Sequence, residues 1–528
     1  MSKGYLAFVL HAHLPYVRHK AEEFYIEERW LFEALNETYI PLLQILEKLR
    51  DEEVPYRLTM SFSPTLISML NDQLLRTKFQ QYLETSLKLA QKEIIRTKDA
   101  PDFQPLAKMY YERLQTNYAT YVDKYSQDIL KGFKLLQELG NLEIITSSAT
   151  HSYLPLFSLK PEIVQAQLAA GIRTYENVFN QKPPGIWLPE CGFFPELDVF
   201  LAKEDLGYFF VETHGLLFAN PRPRYGTYVP IRCPGGAAAF ARDHESSVQV
   251  WSSTEGYPGD PWYREFYRDI GYDLDLEYIK DFIHPDGIRL DTGFKYYRIT
   301  GEGNDKKLYL RERALEKAHY HAKDFLYKKR QQLTYLTNQM EEDPIIVAPY
   351  DAELFGHWWF EGPEWLEHVI RQAAAQGITL ITPSEYLAEH ENLQPSTPCA
   401  SSWGNGGYNS VWLDKTNNWI YKDLYQTGEK MINLANIFTN PTSVEKRALN
   451  QAAREILLSQ SSDWAFIMKT GTMVDYAKRR TLEHLERFRK IYDSVLQHQI
   501  DEIWLKRMEK TDNIFPDIDY RIFASNSK

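Results

Sequence analysis

Seven short apolar runs of strand length, several of them ending in polar or acidic residues, constrain this chain more than any other feature. They are Tyr5 to Leu10, Tyr56 to Phe62, Leu142 to Ser147, Gly185 to Leu188, Tyr208 to Val211, Ile345 to Ala348 and Ile378 to Ile381. Longer segments with helical spacing separate them, which is the pattern of a parallel β/α arrangement. Strands that are apolar without alternation suit a sheet covered on both faces. Seven of them predict an incomplete TIM-like barrel, in which the site is built just past the strand C-termini. An open sheet shares the pattern and stays an alternative.

The rest of the chain divides into two further regions. Residues 71–140 are polar, helix-favouring and without Gly until Gly132, which predicts an inserted helical subdomain and leaves 1–70 and 141–395 to the barrel. Residues 219–300 are rich in Pro, Gly, Tyr and Arg, and so long an irregular excursion usually covers a site. Past Pro395, helical patterns predict a C-terminal helical domain over 396–528 that lends one loop to the cleft. Composition narrows the partners. A net charge of −12 argues against nucleic acid and anionic membrane surfaces. No signal-peptide pattern and no apolar run of membrane length appears, and Cys191, Cys233 and Cys399 have no zinc spacing. A cytoplasmic, reducing environment is the expectation. Aromatic residues reach 14%, which suits stacking on sugar rings and equally suits large aromatic cores.

The chemistry sits at the run ends. His11-Ala12-His13-Leu14-Pro15 closes the first run, and a period of two puts both imidazoles on one side of the strand exit. They could ligate a metal, wall a polyhydroxylated substrate, or simply pack. Glu190 leaves the fourth run in Trp187-Leu188-Pro189-Glu190-Cys191-Gly192, beside a glycine that permits a sharp turn. Asp351 ends the Ile345 run, and the aromatics that follow it predict burial, which raises a carboxyl pKa. Two carboxylates, one open and one aromatic-walled, are the minimal equipment for cleaving a glycosidic bond. His151 and His214 follow other strand ends and keep a metal-dependent hydrolase built on His11 and His13 open, although no compact His-x-x-Glu-His motif is present. A non-catalytic sugar-binding protein is the third class. No Gly-x-Ser-x-Gly elbow occurs, and Cys191 has no activating signature. Trp403-Gly404-Asn405-Gly406-Gly407-Tyr408-Asn409, with Trp412, reads as a carbohydrate-stacking loop or a domain-interface plug.

Taken in order, the His11 segment, Ala149-Thr150-His151, the Trp187–Phe193 segment, Pro349–Trp359 and Trp403–Gly407 resemble the five sequence regions of glycoside hydrolase family 57. The similarity spans nearly the whole chain and is greatest to members that branch α-1,4-glucans. It implies a (β/α)7 barrel with a helical insertion and a C-terminal helical domain, a retaining double displacement on an α-1,4-glucan, and no cofactor or metal. Amylase-like hydrolysis and 4-α-glucan transfer are the alternatives within the family. By the same resemblance Glu190 is the nucleophile and Asp351 the acid/base, while His11, His13, His151 and His357 line the subsite at the cleaved bond. Trp30, Trp403 and Trp412 match chain-guiding aromatics. Arg264, Gly287, Asp463 and Thr472 match further substrate-binding positions, with Gln in family members where Thr472 stands. Branching members also carry a mobile loop with a Tyr over the cleft. Here the matching segment, Val229–Ala237, has Gly235 and Gly236 at the expected Tyr position, which implies hydrolysis alongside transfer.

Overall fold

The computed structural model describes residues 4–19, 24–252, 255–301, 303 and 305–525. Nine strands form its sheet: β1 (Tyr5–Ala12), β2 (Leu58–Phe62), β3 (Leu142–Ser147), β4 (Gly185–Trp187), β5 (Tyr208–Val211), β6 (Ile231–Arg232), β7 (Ala238–Ala241), β8 (Ile345–Asp351) and β9 (Thr379–Leu380). Their order is β6-β7-β5-β4-β3-β2-β1-β8, with β9 on β1, and every pairing is parallel except β6 with β7. Each expected run contributes a strand. β1, β2, β5 and β7 are buried at every residue, as continuous apolar runs require when helices cover both faces.

The seven long-path parallel strands, β1 to β5 with β7 and β8, make a (β/α)7 barrel. Between its ends a backbone bond from the Asp243 amide to the Val347 carbonyl, at 2.8 Å, joins the exit of β7 to β8. The apolar-run reading passes over β7 because Ala-Ala-Phe-Ala has no β-branched residue to mark a strand. It places the seventh barrel strand at Ile378 to Ile381 instead, where only the short β9 forms.

Residues 71–140 hold the helices Gln73–Arg96, Gln104–Tyr118 and Leu130–Glu138. Asp72 starts the first by accepting from the Leu75 amide. Leu130–Glu138 packs on β3 and so serves the barrel itself. The helix Arg311–Gln339 leads into β8, and five helices between Trp419 and Thr511 build the C-terminal region. Before them, residues 397–401 return to the barrel top, where Thr397 bridges to Asn220 and Ser401 to Phe193.

One expectation is overturned. The Cys233–Ala237 segment is a tight hairpin closed by the Cys233 amide on the Ala237 carbonyl at 2.9 Å. Ala238 follows it and bonds Gly207, which in turn bonds Pro184, so the hairpin lies at the strand N-termini. That is the barrel end opposite the carboxylates. Gly235 presses on Asp198, with its amide 2.7 Å from the carboxylate. No tyrosine at this turn could shield Glu190, and its glycines carry no information about water in the cleft.

Candidate active site

The parallel register sets the first part of the site: His11 lies opposite Asp351 on β8 and Ser61 on β2. Three strand exits therefore meet at one level. Glu190 follows β4 in a left-handed conformation with φ 62°, and the next residue, Cys191, has φ 50°. Such backbone persists only where its surroundings hold it. The Trp403 amide does so, donating to the Glu190 carbonyl at 2.9 Å.

The same two C-terminal segments grip the Glu190 side chain. Trp403 Nε1 donates to Oε2 at 2.7 Å and Ser462 Oγ to Oε1 at 2.9 Å. Burial raises the Glu190 pKa and the Asp463 charge adds to it, while the Trp403 and Ser462 donors and His13 work against the rise. Asp351 is treated differently. Burial pushes its pKa well above the ordinary carboxylate range, Glu353 and Glu190 push the same way, and only Arg242 opposes them. The two acids belong to one cluster: Asp351 lies in register with His11, whose ring meets His151 at 3.0 Å, and His151 Nδ1 lies 3.8 Å from Glu190 Oε1.

Histidines connect the two. His151, also left-handed at φ 55°, meets Ser462 Oγ through Nδ1 at 2.9 Å and His11 Nε2 through Nε2 at 3.0 Å. Burial holds both rings well below the usual histidine pKa, and each adjoining ring charge lowers them further, so both are neutral. Because the Ser462 hydrogen goes to Glu190, His151 Nδ1–H donates to Ser462, and His151 Nε2 accepts from His11 Nε2–H. His11 Nδ1 is then left to accept from Ser61 at 3.2 Å. His13 stacks on His151 with centroids 3.7 Å apart, and its Nε2 reaches Asp463 at 3.1 Å. Burial would raise the Asp463 pKa, yet the bonded His13 and Ser461 bring it to about 2. A permanent anion thus backs the histidine stack.

His13, His151 and Asp463 bring ligand atoms within 4.8 Å of one another, a metal-like grouping. All four ring nitrogens already have protein partners: Ser63, Asp463, Ser462 and His11. A ligating imidazole keeps one lone pair for the ion. Contacts to Ser63, Ser462 and His11 on the outside and to Asp463 within join these residues into a hydrogen-bonded wall.

The other expected residues divide. His357 pairs with Glu37 at 2.7 Å. Burial opposes its protonation, but that bond raises its pKa, and it holds Glu37 at about 2 against the effect of burial. Trp30 lies against Tyr476, edge to face at 5.8 Å. Trp412 is not a cleft aromatic: it is 1% exposed, stacked on Tyr153 at 4.3 Å and directly under Gly404, so it floors the loop that carries Trp403. Arg264 is likewise buried, its guanidinium 3.8 Å from the Phe360 ring centre and bonded to the Tyr110 hydroxyl, which makes it part of the wall. Gly287 occupies an outlying turn closed on His284, with φ 78°. Thr472 is exposed beyond the end of the helix Ser462–Thr470, about 13 Å along the axis from Asp463 at 1.5 Å per residue.

Sequence reasoning passed over Glu353, Ser462, Arg242 and Glu37. Glu353 accepts from the His13 amide at 3.2 Å and from the Tyr39 hydroxyl. Its position two residues after Asp351 was the available signal; Ser462 adjoins Asp463 but is ordinary in sequence.

A (β/α)7 barrel with two unlike carboxyl groups and a histidine wall at its strand C-termini defines a glycosidic-bond-cleaving class of enzyme. The glycosyl hydrolase family 57 profile matches residues 7–312, and a 1,4-alpha-glucan branching enzyme C-terminal profile matches 423–523. The chain belongs to glycosyl hydrolase family 57. It is 34% identical to the 1,4-alpha-glucan branching enzyme of Thermococcus kodakarensis over 97% of this chain and 77% of that protein. Its fold is similar to the alpha-amylase AmyC of Thermotoga maritima, with TM-score 0.94 and 46% identity over 100% of both chains. It is also similar to a branching enzyme of Pyrococcus horikoshii, with TM-score 0.89 and 36% identity over 99% of this chain and 97% of that one. Among the described residues no helix is long and apolar enough to cross a membrane.

Proposed function

We propose that this enzyme acts on α-1,4-glucans as a retaining transglycosidase, joining cleaved segments through α-1,6 bonds, with hydrolysis as its competing outcome. The observation that carries this reading is the unlike setting of two carboxyls in one cluster: Glu190 is gripped by Trp403 and Ser462, while Asp351, joined to it through His11 and His151, is buried beside Glu353. Ionised Glu190, oriented by Trp403 and Ser462, attacks the anomeric carbon while protonated Asp351 gives its proton to the departing oxygen. A glycosyl–Glu190 ester results. Asp351, now a base, removes a proton from the 6-hydroxyl of another glucan, or from water, as that oxygen displaces Glu190. The neutral His11–His151 pair and the anionic Asp463 orient hydroxyls around the reacting sugar without adding a mobile charge.

Two features support the branching outcome: the branching-enzyme C-terminal profile and the branching relatives that the chain matches along nearly its full length. The likeness to an amylase at 46% identity favours hydrolysis as the second reading. Proton NMR of amylose incubated with the protein decides between them. New α-1,6 anomeric signals are expected. New reducing ends with no α-1,6 signal would establish the amylase-like outcome instead.

A further inference from the structure

Beside the carboxylates, the exits of β5 and β7 and the loop carrying Trp403 enclose a cavity of about 340 Å³, which lies in the size range of small-ligand sites. Its inner wall is Trp403, the residue that holds Glu190. Its outer wall is Trp251, the last residue of the helix His244–Trp251, which leaves 46% of its surface exposed. Between the two lies Arg242, 5.6 Å from the Trp403 ring centre and fixed by Glu212 at 3.1 Å and Ser247 at 2.6 Å. The cavity and Glu190 thus share the Trp403 indole, and the cavity rim at Trp251 is exposed to solvent.

We infer that this cavity is a sugar subsite, which binds a glucosyl unit of the substrate chain away from the cleaved bond, with the Trp251 indole as its stacking face. The inference rests on the proposed α-glucan activity and adds the residue that would make the enzyme sensitive to chain length. The chemistry of the lining selects the ligand. Arg242 is paired with Glu212, and the lining adds His214, His244 and Ser247, so donors and acceptors stand side by side and suit hydroxyls that both donate and accept. An indole face with polar groups alongside suits the apolar face and hydroxyl edge of a pyranose. A lone exposed Trp is ordinary; an exposed Trp opposite the residue that orients the nucleophile is what marks this one.

The test is Trp251→Ala, with Trp251→Phe as its control, assayed on linear maltooligosaccharides of increasing length. The loss in kcat/KM is expected to grow with length, reaching about three- to tenfold on the longest chains, and Phe is expected to restore much of it. An equal loss at every length, or none at any, overturns the subsite. Maltoheptaose binding to Glu190→Gln protein, with and without Trp251→Ala, separates this inference from the reading it rests on. Weaker binding in the double variant supports the subsite even if no glucan product ever forms, an outcome that would remove the proposed activity alone. Equal binding in the two proteins overturns the subsite, and no binding in either overturns both.

Discussion

The exits of β4 and β8 present the same functional group in opposite settings. Glu190 is met by two donors, Trp403 and Ser462, both brought from the C-terminal third of the chain. At Asp351 the influences are burial and neighbouring acids, and no donor among the described residues contributes. The difference teaches how one barrel can give two carboxyls the unlike settings that the proposed nucleophile and acid require. Donors stabilise the ionised form, and dry surroundings with like charges stabilise the protonated form. The loop carrying Trp403 and the helix Ser462–Thr470 therefore complete the surroundings of Glu190.

Breaking either half tests that contrast. Glu190→Gln is expected to cost on the order of 10⁴-fold or more in kcat on amylose; appreciable residual turnover would remove it as nucleophile. Asp351→Asn is expected to cost about 10²- to 10⁴-fold on glucan but far less on an aryl glycoside whose leaving group needs no proton. It should also abolish the alkaline limb of the pH profile. The same change should raise Tm at neutral pH, with a clear sign. A carboxyl whose pKa is higher folded than unfolded costs stability once pH exceeds the unfolded value, and the amide escapes that cost. A lowered Tm would contradict the burial argument.

Smaller changes sharpen the contrast. Asp463→Asn removes the anion behind His13 and is expected to slow turnover about ten- to a hundredfold by misplacing the histidine stack, with glucan binding the less affected quantity. A change in KM alone would make Asp463 a binding residue only. Trp403→Phe deletes one donor to Glu190. Since a hydrogen bond to a charged group contributes about 1.5–3 kcal/mol, the acid limb of kcat/KM should move up by about one to two pH units. An unmoved limb would mean that Glu190 does not set it.

Much of this arrangement was legible in the chain. The apolar runs marked the barrel strands, and their ends marked His11, His13, Glu190 and Asp351, because a parallel sheet buried on both faces leaves functional groups little room except at the strand exits. Trp403 and Trp412 show where legibility stops. They share one glycine-rich segment, yet one indole orients a carboxylate and the other floors the loop, and only the packing of Tyr153 and Gly404 separates them. The Cys233–Ala237 hairpin was misplaced for the same reason: a motif names residues, and the fold decides which end of the barrel they reach.

The sequence by itself determined the fold class, the family and the two acids, since these follow from periodicity and from residues close together in the chain. Tertiary structure alone decided the surroundings of each acid. The donors to Glu190 lie 213 and 272 residues away in sequence, and the acids crowding Asp351 act through a low-dielectric interior that exists only when the barrel and the C-terminal helices are packed together.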